Sequence, residues 1–219
     1  MNKAKIVFYC KNCGNEHAKW HGQCKYCKEW NSLKEKKVSS LKIKSQTEFG
    51  NYSKKENIPL KISEIDSEDE IRLIVKDDEW NRVLGGGLVL GSVCLISGEP
   101  GIGKSTLLLQ TSMKFNKKVL YVSGEESQRQ IKVRSERIGK AIGQTFILSE
   151  TELEAIFEQI NEINPEIVII DSIQTLHSKM IDGSPGSVTQ IRDCSSELIK
   201  YAKSTGSAVI LIGHLTKDG

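Results

Sequence analysis

The sequence lacks the features that mark membrane and secreted proteins. Its longest apolar runs fall well short of the roughly 20 residues that a membrane-spanning helix requires. The N-terminus carries lysines but no apolar signal core, and two cysteines follow almost at once. We also find no internal repeat. The missing apolar span argues against a membrane partner, and the tight spacing of the cysteine pairs, which metal explains better than disulfides, favours the reducing cytoplasm.

A strong overall charge is also missing. The 219 residues carry a formal net charge of +3, which is too small to argue for or against a nucleic-acid partner. Lysine is nevertheless concentrated near the N-terminus, where six lysines face two glutamates within the first 33 residues. Local composition is therefore more informative than the total.

Composition divides the chain into three regions. Residues 1–33 carry four paired cysteines and two of the three tryptophans. Residues 34–60 are rich in Lys, Ser, Asn and Glu and predict a flexible linker. From 61 to 219, apolar runs alternate with amphipathic stretches, which is typical of an α/β domain with a mostly parallel sheet.

Local patterns in the third region predict its main elements. Thr151 and Ser187 each open a capping-box pattern, so a helix is expected after each of them. The first helix should stop near Asn164-Pro165. Four short apolar runs predict strands that are buried on both faces: Val93–Ser97, Val119–Ser123, Ile167–Ile170 and Ala208–Ile212.

A phosphate-binding loop follows the first of these strands. Its pattern, Gly-x-x-x-x-Gly-Lys-Ser, lies between an apolar run and a good helix former, which is the setting that this motif needs. The glycines let successive N–H groups point at phosphate oxygens, and the helix adds its positive N-terminal end. Lys104 is predicted to reach the β- and γ-phosphates of ATP, and Ser105 to bind Mg²⁺. The predicted nucleotide contacts in this stretch are Gly98, Glu99, Pro100, Gly101, Ile102, Gly103, Lys104, Ser105 and Thr106.

Three further polar residues follow predicted strands. Asp171 ends a buried apolar run and is the candidate for the second magnesium contact. Glu125 is the candidate base that orients the attacking water, with Glu126 as the alternative; both could instead cap the next helix. His214 is a candidate sensor of the γ-phosphate, and a purely structural histidine is the alternative.

The first region carries a second kind of site. Two Cys-x-x-Cys pairs, Cys10 with Cys13 and Cys24 with Cys27, have the spacing of a structural tetrahedral Zn²⁺ site. A pair of disulfides and an iron–sulfur cluster are the alternatives. Cys94 and Cys194 lie in apolar settings and are expected in the core.

Aromatic residues interleave with the lysines around these cysteines. Trp20, Tyr26 and Trp30 would suit contact with nucleic acid or protein if they are exposed. The alternative is that they pack around the metal and that the lysines are simply solvated. The sequence leaves this choice open.

The combined order of motifs resembles the bacterial RadA (Sms) family. The matching stretches are the Cys₄ element that ends at Trp30, residues 82–87 (RVLGGG), 101–110 (GIGKSTLLLQ), 123–127 (SGEES), 171–175 (DSIQT), 184–188 (SPGSV) and 213–217 (GHLTK). The resemblance covers most of the chain except the linker.

This resemblance implies a RecA-like ATPase that binds single-stranded DNA and promotes branch migration of recombination intermediates. It also implies a ring-shaped homo-oligomer and other recombination proteins as partners. Residues 176–188 correspond to a loop that faces DNA, so Lys179 there and Lys217 further on are candidate DNA contacts. For each of them a solvated surface lysine is the alternative. The family continues with the rest of its core and a domain resembling the Lon protease, so the chain is expected to be C-terminally truncated and to bind ATP better than it hydrolyses it.

Two other functions remain open at this point. A KaiC-like protein would use the same loop for autophosphorylation or as a switch. A zinc- and nucleotide-binding scaffold would bind ATP without turnover.

Overall fold

The computed structural model describes residues 5–12, 15–17, 19–38, 61–64 and 71–214. The N-terminal module, by which we mean the described residues from 5 to 38, is a three-stranded antiparallel sheet. Its strands are β1 (Lys5–Cys10), β2 (Glu16–His17) and β3 (Leu33–Val38), in the order β2-β1-β3. Strand β3 runs past the boundary predicted at residue 33. The rest of the predicted linker, residues 39–60, lies outside the described residues.

The α/β core, residues 61–214 as described, begins with small elements. A 3₁₀ turn spans Ile62–Glu64, and the pair β4 (Arg72–Leu73) and β5 (Leu88–Val89) is antiparallel. Between these two strands lies helix α1 (Asp78–Val83), whose N-cap Asp77 accepts the Trp80 N–H.

A five-stranded parallel sheet forms the centre of the core, as the sequence predicted. Its elements alternate along the chain: β6 (Val93–Gly98), α2 (Lys104–Lys114), β7 (Lys118–Ser123), α3 (Gln128–Ile138), β8 (Gln144–Ser149), α4 (Leu153–Ile163), β9 (Ile167–Asp171), α5 (Val188–Thr205) and β10 (Ala208–His214). A 3₁₀ turn, Ile173–Thr175, follows β9. The strand order is β6-β10-β9-β7-β8. Within the described ranges, no helix is both long and apolar enough to cross a membrane.

The central strands bury both faces because successive side chains alternate between two apolar layers. On β7, Val119 and Tyr121 join one layer, whereas Leu120 and Val122 join the other. Strands β9 and β10 alternate in the same way. The continuous apolar runs in the sequence are therefore explained by helices that cover the sheet on both sides.

The two outer strands of the sheet differ from the prediction. The prediction that β6 is buried on both faces is wrong, since Leu95 is 60% exposed. The reason is that β6 is an edge strand, which pairs only with β10 among the described strands. Strand β8 was not predicted at all. It forms the other edge, and its side chains are only half-buried or exposed, which leaves a weak apolar signal.

The capping box predicted at Thr151 is wrong. Helix α4 begins at Leu153, and its N-cap Glu152 makes no side-chain capping bond. The carboxylate of Glu154, which a capping box would turn back to the N-cap, instead accepts the Ser178 hydroxyl at 2.6 Å. A tertiary contact has replaced the local one.

The other helix boundaries agree with the prediction. Ser187 is the N-cap of α5 and accepts the Gln190 N–H, although the Gln190 side chain turns to the preceding loop and accepts the Ser178 N–H. Asn164 ends α4 in the left-handed conformation. Because all five strands of the sheet are parallel, their carboxyl ends meet at one edge, where Ser123 is in register with Asp171 and Gly98 with His214.

Candidate nucleotide-binding site

The phosphate loop connects β6 to α2 at this edge. Gly101 and Gly103 have φ angles of 82° and 95°, which only glycine adopts readily. A Cβ at either position would meet no atom within 4 Å. Backbone conformation, rather than crowding, therefore explains these glycines, and positive-φ glycines are what a phosphate-binding loop needs to curl.

Lys104 folds back under this loop. Its ammonium donates to the carbonyl oxygens of Gly98 and Glu99, both at 2.8 Å, and the residue is only 6% exposed. The charge is thus held by neutral acceptors at the base of the loop. An anionic phosphate oxygen is a stronger acceptor for an ammonium than a carbonyl is, so the geometry fits a nucleotide phosphate.

Ser105 and Asp171 meet across 66 residues of sequence. The Ser105 hydroxyl donates to Asp171 Oδ1 at 3.1 Å, and Asp171 is 6% exposed. A hydroxyl beside a carboxylate at the start of a helix is the donor set that a hard cation such as Mg²⁺ prefers. The two residues that the sequence assigned to magnesium therefore lie together.

Tyr121 completes this cluster, and sequence reasoning missed it. Its hydroxyl donates to Asp171 Oδ2 at 2.5 Å and lies 3.3 Å from the Ser105 carbonyl oxygen. Burial raises the pKa of Tyr121 far above its usual value, and the Asp171 carboxylate adds to the effect. The phenol therefore stays protonated and serves as a permanent donor to the carboxylate.

The two adjacent glutamates have different surroundings. Glu125 is 55% exposed on its side chain, and its carboxylate accepts the Ser172 hydroxyl at 3.3 Å and lies 3.5 Å from His214 Nε2. Glu126 instead pairs with Arg134 of α3 at 2.7 Å. Helix α3 is capped by Ser127, which forms a full capping box with Gln130, so neither glutamate is its cap. Glu125 is the one that faces the end of β9.

Gly124 is required by crowding. A Cβ at this position would lie 2.0 Å from Thr175 Oγ1 and 2.5 Å from Thr175 Cβ. The Gly124 N–H also donates to the Asp171 carbonyl at 2.9 Å. The chain that carries Glu125 is thereby held against the end of β9. An open groove of about 310 Å³ lies next to it and is lined by residues 123–127 and 149–151.

His214 lies at the end of β10, next to the first residue of the phosphate loop. The Gln174 amide donates to the His214 carbonyl at 3.1 Å. His214 Nδ1 and Gln174 Oε1 are both buried without a hydrogen-bond partner in the described part of the chain.

The N-terminal module brings three of the four predicted zinc ligands together. The Sγ atoms of Cys10, Cys24 and Cys27 all lie within 4.8 Å of one another. Four thiolates around one Zn²⁺ at 2.3 Å would be about 3.8 Å apart, so these cysteines fit the ion. Cys13 lies outside the described residues.

Two polar side chains contact this sulfur cluster. The Ser32 hydroxyl lies 3.2 Å from Cys10 Sγ, and His17 Nε2 lies 3.4 Å from Cys24 Sγ. Such second contacts orient the ligands of metal sites. Of the remaining cysteines, Cys194 is fully buried in the core as predicted, and burial raises its pKa to about 12. Cys94 lies on the edge strand β6, where it is half-buried and packs against the core.

The aromatic residues of the module do not pack around the cysteines. Trp20, Tyr26 and Trp30 are 56%, 77% and 68% exposed. Of the two interpretations that the sequence left open, the structure agrees with an exposed aromatic surface.

The candidate DNA contacts are less clearly placed. The Lys179 ammonium forms an ion pair with Glu152 at 2.6 Å, which raises its pKa. Lys217 lies outside the described residues. To contact DNA, the Lys179 ammonium would have to leave the Glu152 carboxylate and pair with a DNA phosphate instead.

Comparison with protein families finds a match for each of the two regions of the chain. A model described as an AAA domain matches residues 59–219, and a model described as a rubredoxin metal binding domain matches residues 8–35. Because the first match covers more than half of the chain, the chain belongs to the AAA domain family. The predicted fold, a RecA-like α/β core preceded by a small zinc ribbon, is confirmed.

Curated relatives extend the similarity over the whole chain. The DNA repair proteins RadA of Halalkalibacterium halodurans and Bacillus subtilis are 45% and 43% identical over 222 residues, and RadA of Haemophilus influenzae is 43% identical over 223. Each alignment covers all of this chain and 48%, 48% and 49% of the respective relative. The resemblance to the RadA family is therefore confirmed, and the chain spans about half the length of these relatives.

Proposed function

We propose that this chain is the zinc- and nucleotide-binding portion of a DNA-dependent ATPase of recombinational repair. The observation that carries the proposal is the meeting of Lys104, Ser105 and Asp171 at one edge of the sheet. Motifs that are separated by more than 60 residues converge there on the donor set of an ATP·Mg²⁺ site.

In this proposal the phosphate loop holds ATP. Its N–H groups and the N-terminus of α2 bind the phosphates, and Lys104 exchanges its two carbonyl acceptors for β- and γ-phosphate oxygens. Ser105 and Asp171 hold Mg²⁺, which neutralises charge on the phosphates when it is bound. Tyr121 keeps the Asp171 carboxylate in place.

Glu125 is the proposed base for the attacking water. It is partly exposed and lies beside Ser172 and His214, whereas Glu126 is occupied by Arg134. A carboxylate within hydrogen-bond reach of a water can orient it and take its proton. His214 lies between Glu125 and the phosphate loop, which is where a sensor of the γ-phosphate has to be.

The DNA part of the proposal is supported by the relatives, which are named as DNA repair proteins. Single-stranded DNA and branched recombination intermediates are the proposed substrates, and branch migration within a homo-oligomeric ring is the proposed activity. Other recombination proteins are proposed partners, in the cytoplasm.

A nucleotide-binding and turnover assay tests the proposal. We expect Lys104→Ala to weaken binding of a fluorescent ATP analogue about 30-fold or more, because truncating one member of a buried charge pair costs about 2 kcal/mol or more. Lys203→Ala, at the exposed end of α5, is the matched control and should bind like the parent. Glu125→Gln should keep binding and lose turnover by about a hundredfold or more, whereas Glu126→Gln should lose much less.

The DNA dependence is tested separately. Single-stranded DNA should stimulate ATP hydrolysis by the full-length form, and the stimulation should fall with rising salt. Turnover that is indifferent to DNA from low to moderate salt would contradict the proposed motor. Phosphate that appears on the protein instead of in solution would favour a KaiC-like autokinase. Binding without turnover would favour the scaffold if a protein of the relatives' full length also lacked turnover, because this chain spans about half of that length.

A further inference from the structure

Two exposed indoles lie side by side on the N-terminal module. Gly22 separates them: a Cβ built there would be 3.6 Å from the Trp30 ring and 3.9 Å from the Trp20 ring. Both rings are more than half exposed. Glycine at position 22 therefore keeps the space between the benzo-ring edges of the two indoles free of a side chain.

The backbone around this space is tied to the cysteine cluster. Residues 22–31 form a tight hairpin in which the Asn31 N–H donates to the Gly22 carbonyl at 2.7 Å and the Cys24 N–H donates to the Glu29 carbonyl at 2.9 Å. Cys24 and Cys27 lie within this hairpin, and Trp30 is bridged to Gln23. Trp30 thus lies on a hairpin that carries two of the metal-binding cysteines, and Trp20 lies two residues before this hairpin.

The charge around the indoles is positive. Lys19, Lys25 and Lys28 are exposed, and none of them has an ion pair within the part of the chain that the structure describes. Glu29 is the one acidic residue between positions 19 and 31. Exposed aromatic faces alone would also suit a protein partner, but combined with unpaired lysines they favour a polyanion that carries flat rings.

We propose that the Trp20–Trp30 pair is a stacking site for an unpaired base of single-stranded DNA, with the neighbouring lysines on the phosphates. Stacking on an aromatic side chain accepts any base, because every base has a π-face. The choice of DNA as the ligand rests on the proposed function; the site itself rests on the exposure and placement of the two rings.

Tryptophan fluorescence gives a direct test in the zinc-loaded chain. The third tryptophan, Trp80, is 9% exposed and donates its indole N–H to Thr111, so it serves as an internal reference. An oligo(dT) strand should quench the emission of Trp20 and Trp30, leaving the buried component unchanged. An abasic oligonucleotide of equal length and charge should bind about tenfold more weakly and should not quench.

Substitutions of the two tryptophans show whether their rings are responsible for the affinity for oligo(dT). Trp20→Ala and Trp30→Ala should each weaken oligo(dT) binding about tenfold, while binding of the abasic strand stays the same. Trp20→Phe and Trp30→Phe keep a π-face and should retain most of the affinity. Zinc content, measured for every variant, shows whether the module is still folded. If an alanine variant loses zinc, the phenylalanine variants and the abasic strand decide the question.

Two results would overturn the inference. One is equal affinity of the parent chain for oligo(dT) and the abasic strand; the other is an alanine variant that retains zinc and binds oligo(dT) like the parent. If DNA still stimulated ATPase activity in either case, the proposed function would stand and the stacking site alone would fail. If the parent chain bound no single-stranded DNA, both would fail.

Discussion

The N-terminal module and the α/β core are held together by different kinds of side chain. The buried cluster of the module consists of Cys10, Cys24 and Leu33, with Cys27 packed against it. The core has two apolar layers, one on each face of its sheet, with 16 buried residues in each. The hydrophobic cluster of the module is therefore mostly cysteine, whereas the clusters of the core are mostly hydrocarbon.

Folding and binding therefore depend on the same residues in the module and on different residues in the core. In the module, the groups that stabilise the fold are the groups that would bind zinc, so the metal supplies the folding free energy. In the core, apolar layers supply stability, and buried polar residues such as Lys104, Asp171 and Ser172 gather at the end of the sheet. Buried polar groups are costly, so their clustering marks a site.

Removing zinc should have the largest effect and should be confined to the module. A structural zinc contributes about 10 kcal/mol or more to the folding of small metal-bound domains. We expect a strong chelator, or Cys24→Ser, to abolish amide protection in β1–β3 while protection in β7, β9 and β10 is kept. Hydrogen exchange read by mass spectrometry measures both regions at once.

Cys194→Ser is the matched control for zinc removal. This cysteine is fully buried in the core, so its replacement should lower core stability and leave the zinc content unchanged. If removal of zinc also abolished binding of the ATP analogue, the prediction that its effect is confined to the module would be wrong.

Tyr121→Phe should have an intermediate effect, limited to the magnesium dependence of the core. Loss of a hydrogen bond to a metal-binding carboxylate typically weakens metal affinity about 10-fold or more. We expect the Mg²⁺ concentration that half-saturates binding of the ATP analogue to rise by about that factor, with binding in EDTA unchanged. Titration of Mg²⁺ with a fluorescent analogue measures both.

Tyr201→Phe is the control for Tyr121→Phe, because Tyr201 is also buried and its hydroxyl donates to Ser207 at 3.0 Å, away from the site. An equal loss of affinity with and without Mg²⁺ in Tyr121→Phe would assign its hydroxyl a general structural role.

Removing the contact between the two regions should have the smallest effect on the free energy of unfolding. Lys34 of β3 pairs with Asp182 of the loop before α5 at 2.7 Å, and the Tyr9 hydroxyl donates to the Asp182 carbonyl at 3.5 Å. Both charged side chains are well exposed, so solvent screens the pair and about 0.2–1 kcal/mol is expected. A double-mutant cycle with Lys34→Ala and Asp182→Ala in thermal unfolding measures the coupling, which should fall with added salt. A larger coupling that is insensitive to salt would mean that the regions form one cooperative unit.

The sequence predicted the buried parts of the fold best. Strands β7, β9 and β10 are covered on both faces, so each appears as a continuous apolar run. The phosphate loop was equally clear because its glycines are required by backbone geometry. Strand β8 was missed because an edge strand buries little.

Contacts that depend on sheet order could not be predicted. Tyr121 lies within an apolar run and looks like an ordinary core residue. Its hydroxyl meets Asp171 only because β7 and β9 are neighbours, which the order of motifs along the chain does not reveal. The same holds for Arg134, which comes from α3 and separates the roles of Glu125 and Glu126.

The register between β6 and β10 has a mechanical consequence for the phosphate loop. Among the described strands, β6 is hydrogen-bonded only to β10, and the last register pair joins Gly98 to His214. The start of the loop is therefore supported from one side, by the strand that ends in the histidine. Any displacement of His214 would therefore have to reach the loop through this single pair of strands.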